Sequence, residues 1–130
     1  MITNVNKQIP ISDAESVVME VLWQRSPRYA EDVVAELAQA QQWQEATIKT
    51  LLNRLLKKGA IRAEKDGRRY RYHPVLEREA WVHGQSRGLL DRLFDGRLAP
   101  MVAHLSGQRA LSPEDIAELR RLLEEIDDGK

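Results

Sequence analysis

Apolar residues recur along the first half of the chain in three copies of one spacing. Ala14, Val17, Val18, Val21 and Leu22 fall at i, i+3, i+4, i+7 and i+8; Ala30, Val33, Val34, Leu37 and Ala38 repeat the series, as do Ile48, Leu51, Leu52, Leu55 and Leu56. Each set occupies one stripe of an α-helix. Three short helices of this kind must bury their stripes against one another. Their ends are also marked. Ser12 and Glu15 have capping-box spacing, so hydroxyl and carboxylate can each satisfy an unpaired N–H. Ser26-Pro27 breaks the first helix, and a short extended piece around Arg28-Tyr29 leads into the second. The polar Gln39–Gln44 stretch ends that one, and Gly59 closes the third.

After Gly59 the period shortens. Ile61-Arg62-Ala63-Glu64-Lys65 and Arg69-Tyr70-Arg71-Tyr72 flank Asp66-Gly67, a pair that favours a tight hairpin turn because both residues tolerate positive φ. Alternation sends Tyr70 and Tyr72 to one side, expected to pack on the helices, and Arg69 and Arg71 to the other. The order predicts a mainly α fold with a small β-hairpin wing: a winged helix-turn-helix domain over residues 11–74. Pro74 restricts His73 and cannot donate to a ladder, which suggests a boundary.

Beyond it, helical segments are expected at Leu76–Phe94, at Leu98–Leu105 and after Ser112-Pro113-Glu114-Asp115, where a capping serine, a first-turn proline and acids signal a helix start. Ile116, Leu119, Leu122, Leu123 and Ile126 form the last stripe. Three such helices are too small to enclose a core. Residues 75–126 therefore read as a C-terminal three-helix dimerisation region, with a second copy covering Leu89, Leu90, Leu93, Phe94, Met101, Val102, Ile116, Leu119 and Leu123.

Charge changes the picture most. The formal net charge is zero, yet residues 44–74 carry nine Lys/Arg against three acids, leaving eleven against seventeen elsewhere. One end of the molecule suits a polyanion. On the third helix Ala46, Thr50, Asn53, Arg54 and Lys57 project away from the apolar stripe, with Thr47, Lys49 and Lys58 on its shoulders. Thr47 and Thr50 are placed for base edges and Arg54 for a guanine or phosphate, while Lys57 and Lys58 suit the backbone. Arg68, Arg69 and Arg71 lie around the hairpin tip and suit phosphates or the minor groove. The DNA-binding set is thus Ala46, Thr47, Lys49, Thr50, Arg54, Lys57, Arg68 and Arg69. A protein-interaction winged helix that docks an acidic partner would explain the charge split, but not the outward threonines.

Other chemistry finds little support. The 130 residues include no cysteine, so disulfides, thiol nucleophiles and thiolate metal ligands are absent. His73, His83 and His104 lie in separate segments without an i, i+4 pair, and no metal site is expected. No phosphate loop or catalytic motif occurs, so neither an enzyme nor a cofactor is expected. Met1–Pro10 lacks a secretory pattern and no segment is apolar enough for a membrane span, which points to the cytoplasm without membrane insertion.

A family resemblance adds to this reading. Ile11-Ser12-Asp13-Ala14-Glu15, Val18-Met19, Leu22-Trp23, Thr47-Ile48-Lys49-Thr50-Leu51-Leu52 with Arg54-Leu55, and Lys57-Lys58-Gly59-Ala60 resemble the BlaI/MecI family of penicillinase and methicillin-resistance repressors. The similarity continues through Gly67-Arg68, Tyr72, Phe94-Asp95-Gly96, Met101-Val102, Leu111-Ser112, Glu114-Asp115-Ile116 and Glu118-Leu119. It implies a homodimeric repressor on a palindromic operator with TACA/TGTA half-sites, controlling a β-lactamase gene. It further implies release through a membrane sensor-protease pathway that cuts the repressor in its dimerisation region. DNA contacts carry over to Thr47, Thr50, Arg54 and the wing at Arg68. The family's Asn-Phe cleavage bond aligns with His104-Leu105. Gln44-Glu45-Ala46 stands where the family often has Ser-Pro-Lys, removing a cap and a cation. The cysteine-rich metal site of the copper-responsive relatives is missing, so copper sensing is disfavoured.

Overall fold

A computed structural model describes residues 8–129, in the order α1 (Asp13–Gln24), β1 (Arg28–Tyr29), α2 (Ala30–Ala40), α3 (Glu45–Lys58), β2 (Ile61–Asp66), β3 (Arg69–Pro74), α4 (Arg78–Phe94), α5 (Leu98–Gly107) and α6 (Pro113–Asp128). The expectation for the leader falls largely on residues 1–7, outside the described ones. Two compact units divide between Gln85 and Ser86, within α4.

In the first unit the capping box forms as expected: the Ser12 N–H donates to Glu15 Oε1 at 2.8 Å and the Glu15 N–H to Ser12 Oγ at 3.1 Å. The buried face of α1 is Val18, Met19, Val21 and Leu22, with Ala14 and Val17 only half-buried. Val33 and Leu37 of α2 and Ile48, Leu51, Leu52 and Leu55 of α3 pack into the same interior, which Ile9, Ala60, Ile61, Leu76 and Ala80 complete. Burying each large aliphatic side chain is worth about 1.5–3 kcal/mol, so the matched stripes hold the three helices together. Gly59 ends α3 at φ 78° in a Schellman arrangement, its N–H bonding Leu56 O and the Ala60 N–H bonding Leu55 O, each at 3.0 Å.

The sheet departs from expectation in two ways. It has three antiparallel strands in the order β1-β3-β2, because Arg28 and Tyr29 pair with Tyr72 and Arg71. A two-residue strand carries no period of its own and exists only through that pairing. The hairpin also turns one residue later than Asp66-Gly67: Asp66 pairs with Arg69, leaving Gly67 and Arg68 as the loop. Positive φ at the first loop residue alone, Gly67 at 65°, is the type II′ pattern. Tyr72 packs against the core, whereas Tyr70 is 49% exposed. Pro74 pairs with Ile61 at the end of β3 and does not end the compact unit. Leu76 and Ala80 are buried, the Trp23 indole N–H donates to Leu76 O at 2.8 Å, and the Trp23 and Trp81 rings lie 5.5 Å apart.

The second unit holds the end of α4 with α5 and α6. Ser112 caps α6 in a box with Asp115, and Pro113 opens it. Neither α5 nor α6 has a buried residue. Leu93, Leu98, Leu123 and Ile126 are 50–67% exposed. An apolar groove of about 690 Å³ runs between α5 and α6, lined by Leu98, Val102, Leu111, Ile116, Leu119 and Leu123 among others.

Candidate nucleic-acid interface

With Ile48, Leu51, Leu52 and Leu55 facing inward, helical geometry leaves Ala46, Thr47, Lys49, Thr50, Asn53, Arg54 and Lys57 on the outside, and all seven are exposed. Several cations of the basic segment are already engaged. Lys49 Nζ pairs with Glu45 Oε2 at 2.7 Å, a hydrogen bond that raises the lysine pKa and lowers that of the carboxyl. Arg54, Lys57, Arg62, Lys65 and Arg68 make no ion pair among the described residues.

Lys58, expected from its sequence position to suit the DNA backbone, has a carboxylate partner inside the protein. Its ammonium lies 2.5 Å from Glu15 Oε1, and Glu15 is only 2% exposed. Burial pushes the Glu15 carboxyl up, but the Lys58 hydrogen bond, the Ser12 N–H and the Lys58 charge together bring it below the ordinary value. One carboxylate thus caps the start of α1 and anchors the end of α3. The sequence signalled the first role; the second needed a partner 43 residues away.

The hairpin is tethered next to its turn, through the Asp66–Arg69 pair that closes the loop. Tyr29 Oη donates to Asp66 Oδ2, the Arg69 guanidinium stacks 3.5 Å over the Tyr29 ring, and Arg69 reaches Glu31 Oε2 at 3.1 Å. The Asp66 hydrogen bond raises the Tyr29 pKa. Arg71 is drawn away from the tip: it bonds its cross-strand neighbour Glu64 at 2.8 Å, and His73 Nε2 lies 2.9 Å from the same oxygen. His73 first and Arg71 second hold Glu64 below the usual carboxylate range. Of the tip arginines, Arg68 alone is left projecting without a partner among the described residues.

The family model for the penicillinase repressor matches residues 11–125. The chain belongs to the penicillinase repressor family. As a member of it, the protein is a repressor and not an enzyme. It is 40% identical to the penicillinase repressor of Bacillus licheniformis over 92% of this chain and 94% of that one, and 30% identical to the methicillin resistance regulatory protein MecI of Staphylococcus aureus over 91% and 96%. Among solved structures, the DNA-binding domain of the repressor BlaI is 43% identical, with a TM-score of 0.53 over 57% of this chain and 92% of that one. The monomeric form of Bacillus licheniformis BlaI in complex with the blaP half-operator is 42% identical, with a TM-score of 0.51 over 56% and 90%. The winged-helix fold of this family member agrees with both.

The expected cleavage pair of this repressor lies inside α5. His104 is exposed, 6.3 Å from the Phe94 ring, and Leu105 is half-buried. Of the expected dimerisation residues, Leu89, Leu93, Ile116 and Leu123 are exposed and Leu90, Phe94, Met101, Val102 and Leu119 half-buried. Among the described residues no group of three or more His, Asp or Glu converges as a metal site, and no helix is long and apolar enough to cross a membrane.

Proposed function

We propose that the chain is a homodimeric transcriptional repressor that lays α3 in the major groove of a palindromic TACA/TGTA-type operator. The observation that carries this reading is the uninterrupted outward face of α3, with threonines at its start and Arg54 and Lys57 beyond, which make no ion pair among the described residues, together with exposed Arg62, Lys65 and Arg68 on the hairpin that follows. In that arrangement Thr47 and Thr50 meet base edges with Ala46 close by, Arg54 reaches a guanine or phosphate, and Lys49 and Lys57 approach the backbone. Arg68 grips a phosphate from the wing tip; Arg69, held against Tyr29, sets the tip's direction and adds charge.

The second copy covers the exposed leucines and isoleucines of α4, α5 and α6, which no element of the second unit buries. The regulated gene encodes a β-lactamase, as the names of the relatives suggest. A membrane sensor-protease pathway releases the operator by cutting at His104–Leu105. Those carbonyls accept hydrogen bonds from the Gln108 and Ala110 N–H groups, so a protease that takes an extended strand must first unwind that turn. With no buried residue in α5, the unwinding costs little.

Selection from a random duplex library with the full chain tests the reading. A palindromic motif should be enriched. An unenriched pool would leave the protein-interaction alternative in possession of the basic face, and an enriched motif absent from β-lactamase promoters would assign the repressor to other genes.

A further inference from the structure

We propose that Asn53 is a base-reading residue of α3 whose carboxamide pairs with the major-groove edge of an adenine. This rests on α3 lying in the groove as proposed above, and adds a specificity determinant to it. Ala46, Thr50, Asn53 and Lys57 follow one another at spacings of four, three and four, forming the row opposite buried Ile48, Leu51, Leu52 and Leu55. Asn53 therefore sits mid-face, one turn past Thr50. At 1.5 Å per residue its Cα is about 4.5 Å further along the axis, close to the ~3.4 Å step between bases on one strand.

Nothing in folding calls for an asparagine there. It is a poor helix former because its amide competes for backbone groups, yet in this helix it neither caps an end nor bonds any group among the described residues. Its neighbour Lys49 is tied to Glu45, so Asn53 keeps both halves of its amide for a partner outside the protein. The amide supplies a donor and an acceptor side by side, the pattern that meets adenine N7 and N6–H; a threonine hydroxyl cannot match both at once. Exposed Arg54 and Lys57 supply the cationic flanks that hold a duplex against this row.

The test is duplex selection with full-length wild type, Asn53→Ala and Thr50→Ala, alongside thermal melting. Wild type should enrich an adenine in each half-site that Asn53→Ala no longer prefers, one or two base pairs from the position relaxed by Thr50→Ala. Affinity of Asn53→Ala for the selected site should fall about 5- to 100-fold, with random duplex changed less than about twofold. Its melting temperature should not drop, since alanine is the better helix former. An unchanged base profile for Asn53→Ala, or loss of preference for a base other than adenine, overturns the inference while leaving the repressor reading intact. A wild-type pool with no motif overturns both.

Discussion

At the scale of single residues, the Glu15–Lys58 pair makes a testable electrostatic claim. The folded Glu15 pKa lies below its ordinary value, so its stabilisation is present above the ordinary carboxylate range and is lost as pH falls through the folded value. Glu15→Gln should cost about 1–3 kcal/mol near neutral pH, the worth of a hydrogen bond to a charged group, and should flatten the acid limb of a melting-temperature profile. Lys58→Met should cost more near neutrality, toward the low end of about 3–5 kcal/mol, because it strands a buried carboxylate; that deficit should shrink in acid. Equal pH profiles for wild type and Glu15→Gln would remove the assignment. On the outer face, Thr47→Ala or Thr50→Ala should reduce operator discrimination by about 1–3 kcal/mol, whereas Lys57→Ala should weaken all duplexes alike and lower the salt slope by about one. Gel-shift titrations on selected and scrambled duplexes separate the two outcomes.

At the scale of elements, α1, α2 and α3 were legible because apolar periodicity is a local property and each stripe meets another of matching phase. Gly59 was legible for the same reason, since a helix that must stop before a strand needs a residue that tolerates left-handed φ. Gly59→Ala, with open space around the added carbon, should cost about 1–2 kcal/mol through backbone strain alone, measurable by denaturant titration. A neutral outcome would mean that the turn can rearrange. The wing was legible as a hairpin but not in register: Asp66-Gly67 suits a type I′ turn and Gly67-Arg68 a type II′ turn, and the local preference was for the first. Pairing of Ile61 with Pro74, along with the Tyr29 and Arg69 tethers, selects between them. That one-residue choice makes Arg68, not Asp66, a residue of the loop.

At the scale of the whole molecule, the compact first unit runs to Gln85 because Leu76, Ala80 and Trp81 close over α1 after the strand has ended. A fragment ending at Gln85 should melt cooperatively, whereas one ending at Pro74, stripped of buried Leu76 and Ala80, should be less stable by several kcal/mol; removing one buried leucine side chain alone costs about 2–5 kcal/mol. The longer fragment should bind a palindromic operator far more weakly than the full chain, because two linked units raise the effective concentration of the second contact. Equal affinity at matched salt would contradict control of occupancy through dimerisation.

By itself the sequence determined the helices, their caps, the presence of a hairpin and the concentration of positive charge beside it. These follow from spacing and residue chemistry within a few turns of chain. Tertiary structure alone decided which charges remain available. Lys58, Arg69 and Arg71 look equivalent to Arg54, Lys57 and Arg68 along the chain, yet among the described residues folding brings Glu15, Glu31 and Glu64 to the first three and no carboxylate to the others. Whether a cation faces outward unpaired depends on which carboxylate the fold delivers to it, and partners 38 or 43 residues distant leave no local trace.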